Sequence, residues 1–477
     1  MKRFCRILVL AAALAAVLAA SALGANFTHC ADALHDLGLF QGTDGGYDLD
    51  RAPSRAEAGA MLVRLLGAED EALAMEAYTA PFTDVRDWAK PYVQYLYDHG
   101  LTNGTGADTY GASDPCTAQQ YAAFLLRALG YTDGEGGDFA YADALDFAGQ
   151  LGVVNPYTCD ASNFLRDHVA AMSYTALATA PKSGEADLLT KLVAEGAIAD
   201  ARGIDRQFAN YRDYAAAGAA MNSATAVSAD MTMTMDLTLS DVPLASGDVS
   251  AEIAANADLA HLDQTELAMT MDLDMALNPA MAEAMGVSAD EAALQATVSY
   301  YYTDGVYYMD MMGQKVRMPL SIEDLVAAFP AEVLEADAAN LISLFTSVEA
   351  VQEDGAVRYR LAYACAPFNA LYDALLSGLQ AGSEMPALSL ELGEFTEEAV
   401  VRDGAIVSSD VFLSMDMTVE GQTLSAAVVG NLDNIRTGDA VTVTLPEDLD
   451  TYQEFSGDAA SVGIIGGADG PTSIVVS

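Results

Sequence analysis

Residues 82–131, "FTDVRDWAKPYVQYLYDHGLTNGTGADTYGASDPCTAQQYAAFLLRALGY", read as two amphipathic helices joined by a glycine- and aspartate-rich loop. Tyr92, Leu96 and His99 mark one face of the first helix; Phe124, Leu125 and Leu129 mark one face of the second. Gly100 and Gly130 stand where each helix must stop. The stretch decides the fold because it recurs. Residues 31–67, "ADALHDLGLFQGTDGGYDLDRAPSRAEAGAMLVRLLG", run helix, Gly38, Gly/Asp loop, Pro53, helix, Gly67. A worn third copy fills 139–178, "FAYADALDFAGQLGVVNPYTCDASNFLRDHVAAMSYTALA". A phrase returning every ~50–60 residues predicts one supersecondary unit used three times, each burying its apolar face on its neighbours. The units are expected at about 26–68, 82–131 and 139–178.

Upstream, Lys2, Arg3 and Arg6 precede an apolar run from Ile7 to Ala20, and Ala20-Ser21-Ala22 offers a small-residue cleavage site. Residues 1–25 therefore read as an export signal, cut after Ala22 or after Ala25. A retained anchor is the rival, with a run short for a span of ~20 residues. Cys5 precedes the run, so it is no lipoprotein cysteine. No later segment is a membrane span by its sequence.

A net charge of −48, from 69 Asp plus Glu against 21 Lys plus Arg, repels phosphate backbones and excludes nucleic-acid binding. Hydrophobic residues at 52% still argue for packed cores, here in two or three domains. Cys30, Cys116, Cys159 and Cys365 lack CxxC spacing; disulfides and buried thiols both stay open.

The motifs "FTDVRDWAKPYV", "GLFQG", "GLTNG" and "SRAEAGAMLVRLLG" make residues 26–180 resemble tandem S-layer homology domains. The resemblance implies an all-α prong binding secondary cell-wall polysaccharide, often pyruvylated, on a Gram-positive-type surface. It implies Arg55 and Arg166 at helix entrances, with Glu57, Asp84 and Trp88, as the polysaccharide-binding set. A carboxylate-bearing polymer suits guanidinium groups, which fork onto carboxylates. Each arginine is equally readable as a solvated or salt-bridged residue, and Trp88 as a packing residue. The second unit departs from the pattern with Ala118 and Gln120 in place of arginine and glutamate. The third follows Arg166 with Asp167 and His168.

After a helical connector at 181–222, with Lys191–Ile198 and Phe208–Ala220 amphipathic, the period becomes two. "MTMTMDLTL" sets Met231, Met233, Met235, Leu237 and Leu239 against Thr232, Thr234, Asp236 and Thr238. "LAMTMDLDMAL" repeats this with Leu267, Met269, Met271, Leu273 and Met275. Hairpin turns are predicted at Asp304-Gly305, Asp354-Gly355, Asp403-Gly404 and Glu420-Gly421. With helices at about 321–347 and 367–380, residues 223–455 are expected to form an α+β domain with a curved antiparallel sheet. "YYYTDGVYYMDMMGQKVRMPL" and "VTVTLPEDLDTYQEF" resemble exported LolA/LppX-type half-barrels. That resemblance implies a cavity for a lipid or other apolar ligand; a solid spacer or surface-layer domain is the alternative.

The tail, 456–477, contains "GGADGPT", similar to a segment of the beta subunit of sodium-pumping decarboxylases, whose sodium-linked aspartate would be Asp469. That subunit is polytopic, so pumping is not carried over and the tail is expected to be a flexible extension. His29, His35, His99, His168 and His261 have no HExxH spacing, and GxSxG and P-loop motifs are lacking. The expectation is a non-enzymatic, secreted cell-surface protein without cofactor or metal.

Overall fold

The computed structural model describes residues 26–454 apart from 43–44, 156–157, 185, 257–263, 289, 322–339, 371, 373–387 and 420, together with 462–465 and 473–476. The export signal, His261, most of both helices expected within the sheet domain, and the GGADGPT segment lie outside the described residues.

The first half is helical: α1 (Thr28–Asp36), α2 (Arg55–Leu65), α3 (Glu69–Leu73), α4 (Lys90–Asp98), α5 (Ala118–Ala128), α6 (Ala144–Gln150) and α7 (Arg166–Leu177). Helices α8 (Leu188–Ala194) and α9 (Ile204–Asn222) follow. The expected stops hold: Gly38, Gly67, Gly100 and Gly130 all have φ between 65° and 89°, a left-handed conformation that closes a helix cheaply only at glycine. One face was misassigned. His99 is exposed and stacks on Tyr95 with ring centroids 4.0 Å apart, while Val93 takes the buried place. Helix α7 is the hub: all 12 of its residues are buried, polar ones included.

The second half is a twelve-stranded sheet ordered β12-β6-β5-β4-β3-β2-β1-β11-β10-β9-β8-β7. Its strands are β1 (Ala226–Leu239), β2 (Val242–Asn256), β3 (Glu266–Leu277), β4 (Ala293–Thr303), β5 (Val306–Met311) and β6 (Gln314–Pro319). After helix α10 (Pro279–Met285), between β3 and β4, the others are β7 (Phe345–Glu353), β8 (Ala356–Tyr363), β9 (Leu388–Arg402), β10 (Ala405–Val419), β11 (Gln422–Thr437) and β12 (Gln453–Glu454). Two meanders thus meet where β1 pairs antiparallel with β11, Met235 opposite Val428. The sheet is open, with β7 and β12 at its edges, and mixed only because β12 runs parallel to β6.

Three of the four predicted hairpin turns are present, and Glu420 of the fourth lies outside the described residues. At Asp304-Gly305, Asp354-Gly355 and Asp403-Gly404 both residues have positive φ, the backbone that matches strand twist. Two more of that form went unread: Met312-Gly313, and Ser240-Asp241, which lacks any glycine to announce it. The predicted alternation also holds: Thr232, Thr234 and Asp236 are exposed, and Met231, Met233 and Met235 half-buried.

One expectation is corrected. The helix predicted over 321–347 cannot extend to its end, because Ile342–Leu344 is a single 3-10 turn and Phe345 opens β7. Within the tail, Val462–Ile465 and Ser473–Val476 pair antiparallel, as their β-branched residues favour.

One hydrophobic core runs from Phe27 through α2, α5, α7 and α9 into Ile342, Phe345, Val348 and Tyr359. Polar bonds cross the same junction. Asn210 donates to the Val348 carbonyl at 2.9 Å, the Tyr214 hydroxyl donates to Glu397 at 3.0 Å, and the Leu341 N–H donates to the Tyr211 hydroxyl at 2.7 Å. The helical half is therefore seated on the sheet and not hung from it by a bare linker. No helix among the described residues is long and apolar enough to cross a membrane.

Candidate functional site

Three helix pairs, α1/α2, α4/α5 and α6/α7, share local geometry. Each first helix ends in the same backbone bond: Leu39 N–H to Leu34 O at 2.8 Å, Leu101 to Leu96 at 2.7 Å, Val153 to Ala148 at 2.9 Å. Each second helix opens with a side chain at its third residue reaching back to the residue before the helix. Ser54 N–H donates to Glu57 at 2.7 Å, Thr117 N–H to Gln120 at 3.3 Å, and Leu165 N–H to His168 Nδ1 at 3.0 Å. These bonds satisfy amides that a helix start would otherwise leave unpaired. Gln120, which looked like a loss in the sequence, performs the same capping as Glu57.

The pairs then interlock in a ring. Helix α4 packs on α2, α6 on α5, and α1 returns to α7. Loops follow suit. At the start of α2, Arg55 N–H donates to Asp114 O at 2.8 Å and Ala56 N–H to Ala112 O at 3.2 Å. At the start of α7, Arg166 N–H donates to Arg51 O at 2.9 Å and Asp167 N–H to Leu49 O at 3.2 Å. Each arginine consequently sits where one pair's loop covers another pair's helix.

Both guanidinium groups are buried, against the expectation of open cationic entrances: Arg55 is 4% and Arg166 5% exposed. Neither is buried on a carboxylate. Arg55 Nε donates to Tyr110 O at 2.9 Å, with its guanidinium carbon 5.0 Å from the Tyr110 ring centroid and 4.8 Å from that of Phe124. Arg166 Nε donates to Tyr47 O at 2.9 Å, 5.7 Å from the Phe40 ring. The reason for burial is loop closure: a delocalised cation is weakly hydrated, stacks on aromatic faces and satisfies a carbonyl that the packed loop removes from water. Burial also pulls the Arg166 pKa below its ordinary value. The only buried side-chain polar atoms without a partner among the described residues are Thr265 Oγ1 and Ser343 Oγ. The terminal nitrogens of Arg55 have no hydrogen-bond partner among the described residues, and with the residue 4% exposed they keep only slight contact with solvent.

The other candidates do not converge on one point. Asp84 is tied to the same loop as Arg55, accepting the N–H groups of Tyr110, Gly111 and Ala112 at 2.8, 2.8 and 3.0 Å. Burial raises its pKa, but those bonds outweigh it and the net shift is downward. Glu57 faces Arg51, which forks onto it at 2.8 and 3.0 Å. Burial opposes ionisation there too, yet Arg51 and Ser54 bring the carboxyl down to about 2. Trp88 is 49% exposed beside Tyr92, whose hydroxyl accepts from Arg64 at 3.1 Å. Arg64 lies nine residues along α2 from Arg55, about 13 Å at helical rise. Arg51 was missed by the sequence reading. Its neighbours in "DLDRAPSRAE" include a capping glutamate, which was the available signal.

Cys30, Cys116, Cys159 and Cys365 are free thiols, and burial pushes Cys116 and Cys159 up to about 12. No group of three metal-ligating side chains occurs among the described residues. On the sheet, a hollow of about 540 Å³ is lined in part by Thr232, Thr234, Asp248, Asp272, Asp274 and Thr297, on the polar face and not the methionine face.

Residues 81–122 match the S-layer homology domain, a span that takes in Asp84, Trp88 and the start of α5. A cell surface protein of Thermoanaerobacter kivui is 47% identical over 60 residues, which are 12% of this chain and 8% of that one. An endoglucanase of Bacillus sp. (strain KSM-635) is 29% identical over 109 residues, 20% of this chain and 12% of that enzyme. An amylopullulanase of Thermoanaerobacterium thermosulfurigenes is 32% identical over 88 residues, 18% and 4% respectively. The chain thus spans only a small part of each relative. Among solved structures, LprF from Mycobacterium bovis overlaps 50% of this chain and 96% of its own at 10% identity and TM-score 0.22. The LolA superfamily protein NE2245 from Nitrosomonas europaea overlaps 46% and 89% at 10% identity and TM-score 0.13. At such scores nothing is carried over from either.

Proposed function

We propose that this is a non-enzymatic bacterial cell-surface protein, held on a Gram-positive-type wall by three S-layer homology units at 26–68, 82–131 and 139–178. Its ligand is a secondary wall polysaccharide bearing carboxylates. The observation that carries the reading is Arg55, held through Nε and stacked between two rings while its terminal nitrogens have no hydrogen-bond partner among the described residues. That is a pre-oriented fork, able to bind a carboxylate without first ordering its own side chain. Arg166 is held through Nε in the same way, but one of its terminal nitrogens is directed at Met61 Sδ at 3.6 Å, so only the other is left for a carboxylate. Position 118 is alanine, so the third boundary has no guanidinium. Asp84 and Glu57 then act by holding the loop and the helix start, and Trp88 offers a sugar platform at a separate place.

Purified protein mixed with wall sacculi will sediment with them, and acid extraction of the secondary polymer from the sacculi will abolish sedimentation. Equal retention on stripped sacculi rules the reading out.

A second reading concerns the sheet, whose half-buried face carries Met231, Met233, Met235, Met269, Met271 and Met275. Flexible thioether chains make an adaptable apolar surface, and we propose that it takes a lipid or similar apolar ligand. Mass spectrometry of organic extracts from natively purified protein will detect a stoichiometric lipid. Its absence leaves the domain a spacer.

A further inference from the structure

Asp167 is fully buried at the start of α7, and its carboxylate accepts two backbone N–H groups, Asn26 at 2.7 Å and Phe27 at 2.9 Å. Among the described residues it has no cationic partner. Its neighbour Arg166 turns away to Tyr47 O, His168 is engaged with Leu165 N–H, and the charge that shifts it is Asp50, of the same sign. Burial accordingly pushes its pKa up to about 6 despite the two amide bonds. A buried carboxyl without a counter-charge is a costly feature to retain.

The equivalent positions on the other two long helices show what is special here. Gln119 on α5 meets the start of α6, donating to Tyr141 O and accepting Leu145 N–H at 3.3 Å. The residue on α2 is Ala56. A neutral side chain therefore serves where the chain runs continuously into the short helix. A carboxylate stands only where the facing nitrogen belongs to residue 26, next to a cleavage site.

We infer that the mature chain begins at Asn26 and that its α-ammonium is the missing partner of Asp167. A leader peptidase hydrolyses the Ala25–Asn26 amide. Water supplies a hydroxyl to the Ala25 carbonyl carbon and a proton to the Asn26 nitrogen, which takes one more proton from solvent. The nitrogen already 2.7 Å from the carboxylate thereby gains a positive charge in place, and a charge-assisted bond replaces a neutral one. Removal of the leader locks α1 onto α7 and closes the ring of helices. Cleavage after Ala22, which the small-residue pattern slightly favours, leaves Leu23-Gly24-Ala25 attached and keeps that nitrogen an amide.

N-terminal sequencing of the exported protein will read Asn26 first; a chain starting at Leu23 overturns the inference. Full-length mature protein starting at Asn26 will melt at least about 3 °C above the same chain carrying an added Gly-Ser, and equal melting overturns it. Asp167→Asn will erase that difference. Should that variant fail to fold, amine acylation of the wild type decides: the Asn26 amine will react at least about tenfold more slowly than in the unfolded chain, as a buried ion-paired ammonium must. Equal rates overturn the assignment.

Discussion

Arg55→Ala will release the protein from wall sacculi and lower its melting temperature, whereas Arg55→Lys will release it with a much smaller loss of stability. The two effects separate because the guanidinium has two edges. Its inner edge donates to Tyr110 O and its faces stack on Tyr110 and Phe124. Alanine leaves that carbonyl unpaired and a void between the rings, at a combined cost of about 2–4 kcal/mol. Lysine retains a donor and a cation for the rings, but it lacks the planar fork, so the outer edge can no longer grip a carboxylate through two bonds. A charge-assisted pair of bonds accounts for about 1.5–3 kcal/mol, roughly ten- to hundredfold in affinity. Half-saturation in sedimentation and thermal melting of the same samples check both parts. Full retention by the lysine variant would show that Arg55 only builds the loop.

Acid will weaken the fold through His168, and His168→Gln will remove that sensitivity. Burial, only partly offset by the charge of Asp160, lowers this imidazole from 6.5 to about 4. Between those values the unfolded chain binds a proton that the folded chain refuses. The stabilisation is thus complete above pH 6.5 and disappears as pH falls towards 4, about 3 kcal/mol in all. Glutamine keeps an acceptor for Leu165 N–H, as Gln120 does for Thr117, and has no proton to bind. Asp167 beside it is common to wild type and variant, so its own titration cancels in the comparison. Denaturant melts of wild type and variant should therefore be compared from pH 4 to 7. The difference curve isolates the imidazole, and parallel curves would mean it is not buried as a neutral ring.

The ring of helices links these two predictions. Arg55, Arg166 and Asp167 all stand at the starts of long helices, where a loop or terminus from elsewhere in the chain arrives. A change at any of them acts on closure as well as on its own contact. The core continues through α9 into β7, so stability measured on the whole chain reports on the helical half too.

Much of this was legible in the residues. Helix stops at Gly38, Gly67, Gly100 and Gly130, the Ser54/Glu57 start, the Asp-Gly hairpins and the methionine alternation are local features. Each is fixed by neighbours within a few positions, through backbone sterics and side-chain periodicity. Ser240-Asp241 was missed because neither residue requires positive φ; the flanking strands impose it.

The sequence by itself determined the parts: helix pairs of one pattern, a meander of strands, and a strongly acidic surface. Only the tertiary structure decided the partners. Pairing of β1 with β11 and of Asn26 with Asp167 joins residues some 200 and 141 positions apart, chosen by which faces can be buried together, a quantity no short window contains. For the same reason sequence placed Arg55 and Arg166 at open helix entrances. Whether a guanidinium meets water or a carbonyl depends on which loop folds over it, and here each receives a loop from another helix pair.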